Sequence, residues 1–147
     1  MMILRWHPTE TVETILDIDF EKLRSLGKKA LLFDFDNTLA KKRSRVMPAV
    51  SSELLAGLAE EGFRIGILTN RRKQKPITGL SLPIIYNARK PWHVGYLAML
   101  EMLSSSPKQA VMIGDRYITD VLGANHLGIH SIRVRSCDVE QQKKTRP

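Results

Sequence analysis

The chain is poor in cysteine, in acidic and aromatic residues and in long apolar runs, and each shortage removes a class of protein. Among 147 residues there is one cysteine, Cys137, which excludes an internal disulfide and a multi-cysteine metal site. No apolar run exceeds the length of a strand, so no segment reads as a transmembrane helix. The first residues, Met1 to Pro8, lack the apolar stretch and small-residue cleavage site of a secretory signal. Acidic residues by Glu10 argue against a transit peptide, and a cytoplasmic protein is the expectation. Four Phe, three Tyr and two Trp supply no evident platform for stacked bases. The histidines, His7, His93, His126 and His130, show no metal-ligand spacing.

What remains is 43% apolar and 26% charged, the composition of an ordinary soluble domain. Acids number 15 against 23 lysines and arginines, for a net charge of +8. Two short runs hold much of the excess: Lys41, Lys42, Arg43 and Arg45, then Arg71, Arg72, Lys73 and Lys75. Such runs are usually solvated surface, and their positions decide whether that holds here.

Ala30 to Phe35 reads as a short buried strand running into Asp36-Asn37-Thr38-Leu39. In extended backbone Asp34 and Asp36 share one side and Phe33 and Phe35 the other. Residues 8–26 predict a helix with Ile15, Leu16, Phe20 and Leu23 on its apolar face, unless Asp17-Ile18-Asp19 breaks it with a turn. Gly27 suits the end of that helix. After the basic loop 40–47, Pro48 opens a helix carrying Val50, Leu54, Leu55 and Leu58, closed by Gly62. Phe63 to Leu68 predicts a second buried strand ending in Thr69-Asn70. A short basic helix or turn over 71–80 and a brief strand at 84–86 follow. Pro91 opens a helix with Val94, Leu97, Leu100, Met102 and Leu103 as its buried side. Gln109 to Ile113 is a third long strand, ending at Gly114-Asp115. A helix over 117–126 and a strand at 130–134 complete a single domain of residues 1–135, with a polar tail over 136–147. Strands alternating with helices predict an α/β fold whose parallel sheet is covered on both faces. Ligands of such sheets bind at the carboxyl ends of the strands, where Asp34, Asp36, Thr69, Asn70 and Asp115 all fall.

Those residues suit phosphoryl transfer. A carboxylate, Asp34, can attack phosphorus and split a hard hydrolysis into two easier steps. Asp36 can protonate the leaving oxygen and then activate water. Two carboxylates repel a phosphate, so a cation is required; Mg²⁺ suits hard oxygen ligands, drawn from Asp34, the backbone carbonyl of Asp36 and Asp115. Thr69 offers a hydroxyl and an amide to the phosphoryl oxygens, and Lys90 a positive charge. Asp120, a helical turn after Asp115, can orient a water or hold Lys90. Each piece has a plainer reading: Thr69-Asn70 as a helix cap, Lys90 as a solvated lysine before Pro91, Gly114-Asp115 as a turn. The plain readings explain badly why all four stand in this order at strand ends.

With these motifs the chain resembles the haloacid dehalogenase-like (HAD) superfamily of phosphatases along nearly its whole length. The DxDxT motif is Asp34-Phe35-Asp36-Asn37-Thr38, the second-motif threonine Thr69, the third-motif lysine Lys90, and the acidic fourth motif Gly114-Asp115 through Asp120. Asp36-Asn37-Thr38-Leu39, Ala88-Arg89-Lys90-Pro91 and Thr119 to Asn125 resemble the YqeG-like branch, itself similar to phosphatidylglycerophosphate phosphatases. The resemblance implies a Rossmann-like three-layer fold, Mg²⁺ dependence and an aspartyl-phosphate intermediate. Asn37, Thr38, Asn70, Arg71 and Arg89 are then the candidate substrate contacts.

Neither the gap from Asp36 to Thr69 nor that from Thr69 to Lys90 has room for a cap domain. An open site is expected, unless another subunit closes it, and suits a phosphate displayed on something large; a phosphorylated small molecule or a phospholipid head group is the expected partner. The basic runs 41–45 and 71–75 should flank the acids, with Arg89 and Arg116 near, steering anions and offering peripheral contact to a phospholipid surface. Sugar phosphates, nucleotides and nucleic-acid ends are alternative substrates, nucleic acid ranking lower. A receiver-like phosphoacceptor domain uses similar groups, but its threonine and lysine follow the phosphoacceptor, whereas Thr69 and Lys90 precede Asp115.

Overall fold

A computed structural model describes residues 6–139. Six strands form one sheet in the order β1-β6-β5-β2-β3-β4, and every pairing among them is parallel. They are β1 (Glu10–Val12), β2 (Ala30–Phe33), β3 (Arg64–Leu68), β4 (Ile84–Ile85), β5 (Ala110–Gly114) and β6 (His130–Val134). The helices are α1 (Phe20–Ser25), α2 (Ala49–Glu60), α3 (His93–Met102) and α4 (Gly123–His126). The chain leaves central β2 outward through β3 and β4, then returns to its other side as β5 and β6. The strand order therefore reverses between β2 and β5, where doubly wound sheets bind ligands.

Alternation along the strands builds the layers. Leu31 and Phe33 of β2, with Ile65, Ile67, Val111 and Ile113, face a core closed by Leu23 of α1 and Leu55 and Leu58 of α2. Ala30 and Leu32, with Leu68 and Met112, face a second core closed by Tyr96, Met99 and Leu100 of α3 and Ala124 of α4. This is a Rossmann-like three-layer sandwich. Between Asp36 and Thr69 lie one loop, α2 and β3, and between Thr69 and Lys90 one loop and β4. No cap domain intervenes in either segment.

Several local expectations are corrected. Residues 8–26 are not one helix. Glu10–Val12 is an edge strand against β6, with Thr9 N–H donating to Ser131 Oγ and Ser131 N–H to Thr9 Oγ1, both at 3.1 Å. Its partner is distant in sequence, and a three-residue strand has too few positions to show alternation. Thr14 then caps a single 3₁₀ turn, Ile15–Asp17, and Asp19 caps α1, so the Asp17-Ile18-Asp19 break is real. Gly27 and Gly62 end their helices with φ of 83° and 100°, conformations that cost glycine little. Segment 71–80, expected as a short basic helix or a turn, takes the turn. In α3, Val94, Leu97 and Met102 are exposed, while Tyr96 and Met99 are fully buried beside Leu100 and Leu103. Residues 117–126 open on a π-helical turn, Tyr117–Leu122, before α4. Of the expected tail, Val139 is buried against the first core, and residues 140–147 lie outside the described residues. No described helix is long and apolar enough to cross a membrane.

Candidate active site

The backbone delivers the acids one by one. Pairing with β5 continues past β2, because Asp34 N–H donates to the Ile113 carbonyl at 2.9 Å. The chain then turns through Asn37, at φ 61°, and Asn37 N–H closes the turn on the Ala40 carbonyl at 2.8 Å. Ser51 of α2 fixes this turn from behind by donating its hydroxyl to the Leu39 carbonyl at 2.7 Å. On the neighbouring strand, the Thr69 hydroxyl accepts from Arg71 N–H at 3.0 Å, shaping a turn where no helix follows.

Lys90 ties the centre together. Its Nζ donates to Asp34 Oδ1 at 3.0 Å and to Asp120 Oδ1 at 2.7 Å, and its side chain is 2% exposed. A lysine buried this deeply must be paired, so the solvated-lysine reading fails. Asn70 positions Lys90 through the backbone: Lys90 N–H donates to Asn70 Oδ1 at 2.8 Å, and Asn70 Nδ2 donates to the Lys90 carbonyl at 3.1 Å. Asp120 is placed by the π-helical turn. Arg116 N–H donates to its Oδ2 at 3.2 Å, and the Tyr96 hydroxyl donates to the Thr119 carbonyl at 2.5 Å. Gly114 is required here, since a Cβ would collide with the Asp120 carboxyl group. Tyr96 and the lysine-holding use of Asn70 were not legible beforehand; a lone tyrosine inside an apolar helix pattern gives no functional signal.

Asp34, Asp115 and Asp120 each present a carboxylate oxygen within 4.8 Å of the others. Lys90 pairs with two of these acids, Asp34 and Asp120. Burial, with Asp120 and Asp115 adding and Lys90 opposing, pushes the Asp34 carboxyl up to about 7. Burial first and Asp120 second also raise Asp115. Desolvation pulls Lys90 down, but Asp120 and Asp34 outweigh it and hold the lysine up at about 12. Asp120 has both oxygens engaged, by Lys90 and by Arg116 N–H. Asp115 Oδ1 is buried and has no hydrogen-bond partner. That orphaned oxygen beside Asp34 suits a hard cation, for which Asp34 and Asp115 could supply carboxylate oxygens while Asp120 holds Lys90.

Asp36 stands apart from this cluster. Arg71 grips its carboxylate at 2.6 Å through Nη2 and 3.4 Å through Nε, and Arg43 N–H donates to the same group at 2.9 Å. Asp34 and Asp36 open onto a cleft of about 510 Å³ that Thr69, Asn70, Lys90 and Thr119 also line, whereas Asp115 and Asp120 do not line it. Its rim is cationic: Lys42, Arg43 and Arg45 come from the first basic run, Arg71, Arg72 and Lys75 from the second, and Arg116 from beyond β5. Thr78 N–H donates to the Arg45 carbonyl at 2.7 Å, joining the two loops. Asn37, Thr38 and Arg89 do not line the cleft; Thr38 is fully buried and Arg89 points to solvent.

Comparison with known proteins gives the family and the fold. A family model described as HAD-hydrolase-like matches residues 87–146. The chain is 34% identical over 131 residues to the Bacillus subtilis protein named probable phosphatase YqeG, covering 86% of this chain and 76% of that protein. The chain belongs to the HAD-like hydrolase family. It is also 30% identical over 135 residues to the chloroplastic phosphatidylglycerophosphate phosphatase 1 of Chlamydomonas reinhardtii, covering 82% of this chain and 49% of that one. A solved hypothetical protein from Xanthomonas campestris superposes with a TM-score of 0.63 at 17% identity, over 92% of this chain and 80% of the other. The 3-deoxy-D-manno-octulosonate 8-phosphate phosphatase of Yersinia pestis gives 0.55 at 18%, over 82% and 71%. At these identities the structural likeness is one of fold. As a HAD-type phosphatase the chain is an enzyme, and the receiver-domain alternative falls.

Proposed function

We propose that this HAD-type phosphatase is a Mg²⁺-dependent phosphomonoesterase that works through an aspartyl-phosphate on Asp34. The observation that carries the reading is the buried Lys90 bridge between Asp34 and Asp120, with the unpartnered Asp115 oxygen beside it. Asp34 and Asp115, with the Asp36 backbone carbonyl, would hold Mg²⁺, whose charge lets a phosphate approach the carboxylates. In the first step an Asp34 oxygen attacks phosphorus, the bond to the leaving alcohol breaks, and Asp36 gives that oxygen its proton. In the second, Asp36 takes a proton from water as it attacks the acyl-phosphate, freeing Asp34 and inorganic phosphate. Lys90 and the Thr69 hydroxyl offset charge on the phosphoryl oxygens, the Thr69 amide being taken by the Ile85 carbonyl at 3.0 Å, and Asn70 keeps Lys90 in register.

The cationic rim and the absence of a cap over the site support a substrate whose phosphate is displayed on an anionic body. Similarity to a phosphatidylglycerophosphate phosphatase favours a phospholipid head group, met by a cytoplasmic enzyme at the membrane surface through loops 41–45 and 71–75. The test is turnover with Mg²⁺ and with chelator, on p-nitrophenyl phosphate, phosphatidylglycerophosphate, sugar phosphates, nucleotides and phosphorylated DNA ends. Metal-dependent hydrolysis, fastest on the lipid, is expected. Turnover indifferent to chelator would remove the metal from the account, and a sugar phosphate or nucleotide preferred over the lipid would replace the substrate assignment.

A further inference from the structure

We infer that Arg71 and the Arg43 amide form a subsite for a second anionic group of the substrate, a phosphate or phosphodiester, and that the Asp36 carboxylate fills this subsite in the structure. The inference rests on the phosphatase reading above and deepens it.

Arg71 is built as an anion receptor. Its side chain is 7% exposed, and its guanidinium lies 5.0 Å from the centre of the Phe35 ring, so its direction is fixed by packing. Nη2 meets Asp36 Oδ1 and Nε meets Oδ2, a forked contact that suits phosphate as well as carboxylate. Arg43 adds a third donor, its N–H, from a residue held at φ 68°. A non-glycine residue in that conformation is strained, and here the strain aims an amide at an anion.

The charge balance of the cleft points the same way. Lys90 and Thr69 already serve the reacting phosphoryl group. Lys42, Arg45, Arg72 and Lys75 nevertheless line the same cleft, on the two loops joined through Arg45 and Thr78. One phosphate leaves this positive charge unmatched; a second anion offsets part of it. When that anion takes the Arg71 fork, Asp36 loses its partners and is released toward the reacting oxygen. A substrate with a single phosphate must instead compete with the Arg71–Asp36 pair.

Paired substrates test this on the full chain: fructose 1,6-bisphosphate against fructose 6-phosphate, and monomeric dioctanoyl phosphatidylglycerophosphate against dioctanoyl phosphatidic acid. The wild type is expected to favour the member with the second anion by at least about tenfold in kcat/KM. Arg71→Gln should reduce that ratio to within about threefold, whatever the absolute rates. Because Arg71 is buried, Arg45→Gln combined with Arg72→Gln provides a second variant that keeps the Asp36 pair, and it should also lower the ratio. Preference in both pairs assigns the subsite to any second phosphate; preference in the lipid pair alone assigns it to a headgroup diester. No preference in either pair, or a ratio that survives both variants, overturns the inference. If p-nitrophenyl phosphate with Mg²⁺ is hydrolysed while no preference is seen, only the subsite fails; no turnover on any substrate removes the phosphatase reading with it.

Discussion

Three buried or half-buried carboxylates crowd together while one ammonium pairs with only two of them, Asp34 and Asp120, and that imbalance governs the site residue by residue. The Asp34 carboxyl is pushed up to about 7 against an ordinary value of 3.8, because burial disfavours its charge. A folded-state value above the unfolded one means that the native protein holds this proton more tightly. Its contribution to stability is therefore full at low pH and declines as pH rises from about 4 to about 7. Mg²⁺ competes with the same proton, so its stabilising effect should grow with pH. Thermal melts with and without Mg²⁺ at about pH 5.5 and about pH 8 should show the larger shift at the higher pH; the reverse order would exclude Asp34 as a ligand. Lys90→Met should cost about 3–5 kcal/mol in urea unfolding at neutral pH, since it leaves two buried acids uncompensated. A cost below about 1 kcal/mol would mean that the bridge contributes little. The acids themselves were legible in the sequence because charged residues at the end of an apolar strand are conspicuous. The Arg71–Asp36 pair was not, since it joins two loops whose approach depends on the sheet order.

At the scale of elements, legibility followed burial. β2, β3 and β5 are central parallel strands buried on both faces, and such strands announce themselves as continuous apolar runs. β1 is an edge strand with one long-range partner, so its pattern says nothing locally. In α3 the expected buried side holds for Leu100 and Leu103 but not for Val94, Leu97 and Met102, because apolar residues lie all around the helix and packing chose among them. Gly66 of β3 leaves the room that Met99 fills, and Gly123 leaves the room for Tyr96. Met99→Ala should accordingly lower stability by about 2–5 kcal/mol, while Leu97→Ala should stay within about 0.5 kcal/mol; denaturant unfolding of both would expose an error in the assigned face. Tyr96→Phe removes the donor that anchors the π-helical turn behind Asp120. Stability should fall by about 1 kcal/mol and kcat should fall with little change in KM, as expected for a residue that acts by positioning Asp120 and Lys90.

At the scale of the molecule, strand order turns two separated basic runs into one electropositive face. Each run follows a strand that ends at the same edge of the sheet, and the Thr78–Arg45 hydrogen bond joins them. The sequence placed both runs beside the acids because a parallel sheet gathers its carboxyl ends, but the register between the loops emerges only in three dimensions. Lys41 and Lys73 belong to these runs without lining the catalytic cleft. Their joint replacement by Gln should weaken binding to anionic vesicles by about 30-fold, at about 1 kcal/mol per charge, with p-nitrophenyl phosphate turnover unchanged. Sedimentation with vesicles of mixed neutral and anionic lipid measures this, and equal binding by both proteins would sever the basic face from membrane contact.

The central claim is that Asp34 carries the phosphoryl group. Rapid quenching of the enzyme during turnover with Mg²⁺, followed by borohydride reduction of any acyl-phosphate and peptide mass spectrometry, tests it most directly. The account predicts reduction at Asp34 alone, together with loss of turnover in Asp34→Asn by at least about a thousandfold. Reduction at another carboxylate, or near-normal turnover by the Asn variant, would contradict it.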